Sequence, residues 1–396
     1  MSSFAIPPTG ASPSLKPFVV NIAEARVSEL HQLVKLSKIG IPTYENQQAD
    51  GRFGISRDWL MDAKSEWEKF DWRESEKYIN TFPHFTAPVP DEKSGNADGV
   101  FNLHFVALFS KRANAIPIVF LHGWPGSFLE FLPMLEVVRG QYSEETLPYH
   151  VIVPSLPGFV FSDAPPADRG FGAEDVARIV NAGVKLLGLE AYMVQGGDIG
   201  SRVARISAVK YPEVKAAHLN FCMIPPPPSH PTSSTPSPEE QAGLARLAQF
   251  QSSGSAYMQE HATRPATIGL CLSSSPLALL AWIGEKFLAW SDTPPSLPTI
   301  LEAVSLYYLT DTFPRSIFTY REPGIAGDPA WFIAKPVGFS WFPKEVAPVP
   351  RAWVESTGRV VWWRAHDRGG HFAALERPGV VWGDVEGFVG EVWKGE

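Results

Sequence analysis

The sequence predicts an α/β protein with a mostly parallel, doubly wound sheet that is split by a helical insertion. Residues 116–121 form a short unbroken apolar run, which is typical of a strand buried on both faces. From there to residue 221, strand and helix patterns alternate, as they do in parallel sheets. The pattern is helical from about 239 to 322, and strand patterns return at 336–342 and 359–365.

The individual elements follow from hydrophobic periodicity and end signals. Asn21, with Glu24 three residues later, predicts a capped start for the first helix. The remaining elements before the insertion are predicted as a helix near 57–70, strands at 102–109, 116–121, 150–158, 192–194 and 214–221, and helices at 174–187 and 199–210.

The Pro- and Ser-rich stretch 223–241 predicts an irregular connector before the insertion. Ser237 and Pro238 predict a new helix, because serine caps helices and proline fits the first helical position. A last amphipathic helix is predicted at 380–393. The predicted organisation is an N-terminal segment, 1–112, packing on a core formed by 113–222 and 325–396, with a helical lid inserted at 223–324.

Composition excludes several classes of protein. The net charge is −8 without a basic cluster, so we expect neither nucleic acid nor an anionic membrane as a partner. Cys222 and Cys271 form neither a disulfide framework nor a zinc pattern, which fits a reducing compartment. The first residues lack a signal-peptide pattern, and a Ser/Pro break interrupts the apolar stretch 268–284. We therefore expect a soluble, cytoplasmic chain without a membrane anchor, and no metal or organic cofactor.

Residues 196–200, Gly-Gly-Asp-Ile-Gly, join a predicted strand to a predicted helix. Gly196 and Gly200 flank Asp198 in the manner of a nucleophile elbow, where only small residues fit around a sharp turn. Such a turn lifts the central side chain above the carboxyl edge of the sheet, where ligands bind. A helix cap is the alternative role of Asp198.

The segment His122-Gly123-Trp124-Pro125-Gly126 follows the first buried strand. In folds with a nucleophile elbow, this loop and the residue after the nucleophile donate backbone N–H groups to an oxyanion hole. Those donors are predicted to be Trp124 and Ile199. His122, Gly123 and Pro125 are predicted to shape the loop, with a cis bond before the proline, although an ordinary turn is the alternative.

His371 lies in a glycine loop after the last predicted strand, in the chain order nucleophile, acid, histidine. A catalytic histidine needs a carboxylate on its far ring nitrogen. Glu345, at the end of a predicted strand, is the preferred candidate. Asp367 is the rival, but it lies only four residues from His371 on the same loop.

Together the motifs HGWPGS, GGDIG and GGHFAALE resemble those of the soluble fungal relatives of microsomal epoxide hydrolase, in the α/β-hydrolase superfamily. The segments SKIGIPTYENQQADGRFGI and FDWRESEKYINTFPHFT extend the resemblance over nearly the whole chain. The resemblance implies an α/β-hydrolase fold with an inserted helical lid and an N-terminal extension. The microsomal members carry an N-terminal membrane anchor, whereas the sequence predicts none here.

The resemblance also implies two lid tyrosines, Tyr257 and Tyr320, that activate the epoxide oxygen. The residues alone do not select them, because Tyr307 and Tyr308 look equally suitable. The implied reaction converts a small apolar epoxide, an aryl or alkyl oxirane, and water to a vicinal diol through an ester on Asp198, as in detoxification. A homodimer is a further expectation from the resemblance.

Two other classes of function compete with this interpretation. A haloalkane dehalogenase uses the same Asp–His–acid logic, but it usually has Trp directly after the nucleophile, where this chain has Ile199. A non-catalytic small-molecule receptor on the same fold would have no need of nucleophile, base and acid together. A serine esterase is disfavoured because Asp, not Ser, stands at the centre of the elbow.

Overall fold

The computed structural model describes residues 3–227 and 236–394. Part of the predicted connector, 228–235, therefore lies outside the described residues. Within the described chain, the strands form one nine-stranded sheet. The strands are β1 Lys16–Phe18, β2 His84–Pro90, β3 Val100–Leu108, β4 Ile116–Leu121, β5 Tyr149–Pro154, β6 Tyr192–Gly196, β7 Val214–Leu219, β8 Ile333–Trp341 and β9 Gly358–Ala365.

Helices cover both the sheet and its carboxyl edge. Those before the insertion are α1 Glu24–Leu36, α2 Arg57–Trp67, α3 Trp72–Ile79, α4 Leu132–Gln141, α5 Ala173–Lys185 and α6 Asp198–Lys210. The insertion contains α7 Pro238–Gln249, α8 Ala256–Thr263, α9 Pro265–Ser273, α10 Pro276–Trp290, α11 Leu297–Leu309 and α12 Thr312–Ser316. The last helices are α13 Arg351–Glu355, α14 Ala373–Glu376 and α15 Pro378–Val392.

The sheet confirms the predicted mostly parallel order. Its strands run β1-β2-β3-β5-β4-β6-β7-β8-β9, and every pair from β5 to β9 is parallel. The apolar runs of β4 and β5 are buried on both faces, because helices pack against each side of a parallel sheet. The helices α7–α12 all lie in sequence between β7 and β8, where the sequence predicts the insertion.

The antiparallel edge extends the sheet toward the N-terminus. β2 pairs antiparallel with β3 over its full length, and β3 pairs antiparallel with β5. The predicted segment 1–112 therefore contributes strands to the sheet itself, in addition to helices. The sequence pattern does not predict β2 because its two prolines weaken a strand signal. Both prolines lie beyond the three residues that pair with β1, where only β3 pairs with β2 in the described chain.

The starts of two helices can be compared with the caps that the sequence predicts. The predicted Asn21 cap is wrong, since α1 begins at Glu24 after Ala23 and has no side-chain cap. The Ser237 prediction is confirmed, because Ser237 and Glu240 form a reciprocal capping box at the start of α7. Among the described residues no single helix is long and apolar enough to span a bilayer. The pair α9 and α10 reaches that length together, and its two helices are bent by 117°.

Candidate active site

The residues predicted for the site lie at the carboxyl edge of the parallel strands. The loop that begins at His122 follows β4, and Asp198 follows β6. Glu345 and His371 follow β8 and β9. Because the carboxyl ends of parallel strands meet at one edge of a sheet, segments more than 240 residues apart in the chain come together.

The turn at Asp198 is strained. Its φ is 46°, in the left-handed region that non-glycine residues rarely adopt, at a cost on the order of 1–3 kcal/mol. A Cβ on Gly196 would collide with the carbonyl oxygen of Gly200, and a Cβ on Gly200 would collide with that of Leu121. The flanking glycines therefore permit a close strand-to-helix turn, as predicted, and the turn raises Asp198 above the sheet.

The two carboxylate oxygens of Asp198 have different partners. Trp124 donates its backbone N–H to Oδ1 at 2.8 Å, and His371 Nε2 lies 3.5 Å from Oδ2. A Cβ on Gly123 would overlap the same carboxylate, so this position needs glycine. In the described residues no hydrogen bond joins the N–H of Ile199 to the Asp198 side chain. The role of Ile199 as second donor thus stays a prediction.

His371 is held between two acidic side chains in the protein interior. Its Nδ1 lies 2.6 Å from Glu345 Oε1, which also accepts the backbone N–H of Val346 at 2.6 Å. Burial lowers the pKa of His371, but attraction to Glu345 and Asp198 outweighs burial and raises the pKa well above its usual value. The rival Asp367 is exposed, and no hydrogen bond connects it with His371 in the described chain.

The inserted helices fix the loops that carry this pair. The His371 N–H donates to the carbonyl of Trp290, the last residue of α10, at 2.9 Å, and the two rings meet edge to face at 4.9 Å. Arg246 of α7 donates from Nε to the carbonyl of Glu345 at 2.7 Å. The insertion therefore positions both His371 and its acidic partner, a contribution that the sequence analysis missed.

The loop after β4 is held by buried hydrogen bonds. The peptide bond between Trp124 and Pro125 is cis, as predicted. His122 Nε2 accepts the Leu156 N–H at 3.0 Å, and burial lowers the pKa of His122 to about 4, so the ring is neutral at pH 7. The Tyr307 hydroxyl donates to the Gly126 carbonyl at 2.7 Å.

The four candidate tyrosines have different surroundings in the structure, although the sequence alone does not distinguish them. Tyr257 and Tyr320 pack edge to face at 5.8 Å, and Trp124 lies 5.3 and 6.0 Å from their rings. Burial raises the pKa of both phenols well above the usual value, and the charge of Asp198 adds to the increase. Tyr307 is engaged with the loop after β4, and Tyr308 lies beside Arg26.

Two buried residues near these tyrosines were not predicted. Lys286 places Nζ 4.8 Å from the ring centre of Tyr257, and His261 packs edge to face on Tyr320 at 4.9 Å. A lysine inside the apolar stretch of α10 was the available signal for the first. No sequence signal identifies His261. Across the described ranges, no group of three or more His, Cys, Asp or Glu side chains could hold a metal ion.

The sheet, the elbow at Asp198 and the Glu345–His371 pair define the class of protein: it is an α/β-hydrolase. The family model described as "alpha/beta hydrolase fold" matches residues 116–278, and the one described as "Epoxide hydrolase N terminus" matches residues 15–131. The N-terminal match covers β1–β4 and α1–α3. The hydrolase match begins at β4 and extends into the inserted helices.

Similar proteins identify the family. A Dothistroma septosporum protein, provisionally named an epoxide hydrolase, is 44% identical over 98% of this chain and 93% of its own length. Epoxide hydrolase 1 of Oryctolagus cuniculus is 30% identical over 96% of this chain and 89% of its own. The Aspergillus niger epoxide hydrolase structure superposes with a TM-score of 0.94 at 50% identity, covering 99% of this chain and 100% of that one. The chain therefore belongs to the epoxide hydrolases, a family of enzymes.

Proposed function

We propose that this enzyme converts aryl or alkyl oxiranes to vicinal diols through a covalent ester on Asp198. The observation that carries the proposal is the division of the Asp198 carboxylate. One oxygen accepts the Trp124 N–H, while the other lies 3.5 Å from His371 and is free of backbone donors in the described chain. The second oxygen is therefore the one available to attack carbon.

Ring opening needs a nucleophile and an acid together. Asp198 Oδ2 forms a bond to a ring carbon, the carbon–oxygen bond of the epoxide breaks, and the oxygen leaves with the electron pair. Tyr257 and Tyr320 stay protonated because burial raises their pKa values, so a phenol supplies the proton to the leaving oxygen. The Tyr320 hydroxyl is buried without a partner in the described residues, which suits a donor that waits for substrate.

Ester formation removes the negative charge of Asp198. The pKa of His371 then falls, since one of the charges that raised it is gone. Its proton passes through solvent to the tyrosinate and restores the phenol. Neutral His371 next takes a proton from water while the water oxygen bonds to the ester carbon. The Trp124 N–H stabilises the resulting oxyanion. Collapse releases the diol oxygen, which takes the proton from His371, and Asp198 ionises again by protonating the imidazole.

Both tyrosines come from the helices between β7 and β8. Residues 223–324 are accordingly proposed as a lid over the core, with Tyr257 on α8 and Tyr320 just after α12. Lys286 lies over the Tyr257 ring, where its positive charge would stabilise a transient tyrosinate. Substrate is thus held between lid phenols and the elbow of the sheet.

A single turnover of a racemic aryl epoxide in ¹⁸O-water tests the ester directly. We expect the label to enter the Asp198 carboxylate and the first diol to carry unlabelled oxygen, because water attacks the carboxyl carbon and not the substrate. Peptide mass spectrometry locates the label on the enzyme. Label in the diol after one turnover would mean direct attack by water and would refute the proposal.

Removal of the phenol hydroxyls should slow ring opening selectively. Tyr257→Phe and Tyr320→Phe are each expected to lower the alkylation rate constant by about 10–100-fold, and the double variant further, because a positioned acid contributes about 10²–10⁴. Stopped-flow quenching of tryptophan fluorescence measures this step. Tyr308→Phe, at the tyrosine beside Arg26, is the matched control and should alkylate at the original rate.

A further inference from the structure

A small cavity borders Asp198 and His371. Its volume is about 30 Å³, which is enough to hold a water molecule. Asp198 and His371 bound it together with the polar side chains of Glu130, Gln195 and Asn220. Neither Tyr257 nor Tyr320 lines it. The cavity is therefore separate from the tyrosine pair, where the epoxide oxygen is proposed to bind.

An unpaired acceptor points to water in this cavity. Gln195 is 2% exposed, and its Nε2 donates to Asn220 Oδ1 at 2.8 Å. Its Oε1 is buried and accepts no hydrogen bond from the described residues. Buried polar atoms are almost always paired, either with protein or with ordered water, and Gln195 lines a cavity large enough for a water molecule.

Like Gln195, Glu130 lines the cavity and has no role in the ester mechanism described above. It belongs to the short turn Phe128–Phe131 that follows the cis Trp124–Pro125 bond. A Cβ on Gly126 would lie only 2.9 Å from either Glu130 oxygen, so the glycine gives the carboxyl its space. Loss of hydration raises the pKa of Glu130 to about 8, while His371 lowers it and Asp198 raises it.

We propose that Glu130, together with Gln195, holds the water that hydrolyses the Asp198 ester. This inference rests on the ester mechanism proposed above. The water oxygen bonds to the ester carbon, one water hydrogen passes to His371 Nε2, and the other stays on that oxygen and is hydrogen-bonded by an oxygen of Glu130 or Gln195. Glu130 binds and orients the water, and its own proton is not transferred. In this proposal water approaches the ester from the cavity lined by Glu130 and Gln195, while the diol leaves on the side of the tyrosines.

The test separates alkylation from ester hydrolysis. Glu130→Leu should slow hydrolysis of the ester by about 10–100-fold, the effect of one lost hydrogen bond to a buried reactant, and change alkylation by less than about threefold. Glu130→Gln retains an acceptor oxygen at the same reach and should restore most of the rate. Rapid quench followed by intact-protein mass spectrometry measures the formation and decay of the adduct.

Tyr307→Phe is the matched control, because it removes a buried hydrogen bond to Gly126 in the same loop without lining the cavity. We expect it to change both steps by a similar factor. If Glu130→Leu does not fold, Gln195→Leu should show the same selective loss of hydrolysis.

Two results would overturn the role of Glu130. One is an ester that decays at the original rate in Glu130→Leu. The other is an equal loss of both steps, as expected of a loop disturbance. A different failure concerns the proposed function: if the unmodified enzyme incorporates no ¹⁸O into Asp198, the ester mechanism itself falls, whatever Glu130 does.

Discussion

Replacement of Asp198 by alanine is expected to lower turnover of an aryl epoxide by about 10⁴-fold or more. Loss of a nucleophile removes the covalent route altogether, and the groups that remain retain only binding and oxyanion stabilisation. The loss should appear in kcat, measured by diol formation at saturating substrate. Alanine keeps a Cβ at the strained φ of 46°, so the turn itself is not relaxed by the change.

Asp367→Ala is the matched control for this variant. Asp367 is an exposed carboxylate in the loop that carries His371, and it should be dispensable because Glu345 already holds the imidazole at 2.6 Å. We expect activity within about twofold of the original. Residual activity above a few per cent in Asp198→Ala would reject Asp198 as the nucleophile.

Replacement of His371 by glutamine is expected to trap the ester. Alkylation needs the Asp198 carboxylate and the phenols but no base, whereas hydrolysis loses a general base that contributes about 10²–10⁴. The variant should therefore react once and stop. Intact-protein mass spectrometry should show an adduct with the mass of the substrate, which remains after the unmodified enzyme has completed its turnover.

The second histidine of the same loop provides the control. His366 lies five residues before His371 and has its own carboxylate, Asp384, at 2.6 Å from Nε2. His366→Gln should turn over without accumulating an adduct, since its pair is separate from the Glu345–His371 pair. An unmodified His371→Gln protein that still binds substrate would contradict a covalent route.

Several elements of the fold could be predicted from the sequence because a buried element has a recognisable local pattern of apolar residues. The run Ile116–Leu121 predicts a buried strand, and the structure has β4 over those same residues. The Ser237–Glu240 cap is likewise local, since its two hydrogen bonds join residues three apart. The strand β2 was missed because the pairing that stabilises it comes from β1 and β3 and not from its own pattern.

The same distinction applies to the candidate site. Asp198 is marked by glycines on both sides, since the turn that lifts it tolerates no side chains at those positions. Glu345 and His371 follow strands and keep the chain order of the fold. No such local sequence pattern identifies Lys286, His261 or Glu130. Each is distinguished only by a contact with a residue from a distant part of the chain.

By itself, then, the sequence determined the parallel sheet, the helical insertion and the position of Asp198, because each depends on residues within a few positions of one another. Only the tertiary structure decided which tyrosines pack against Trp124, which carboxylate lies beside His371 and where a water-sized cavity lies. Those properties depend on distances between segments that are far apart in the chain, and no local pattern of side chains encodes such distances.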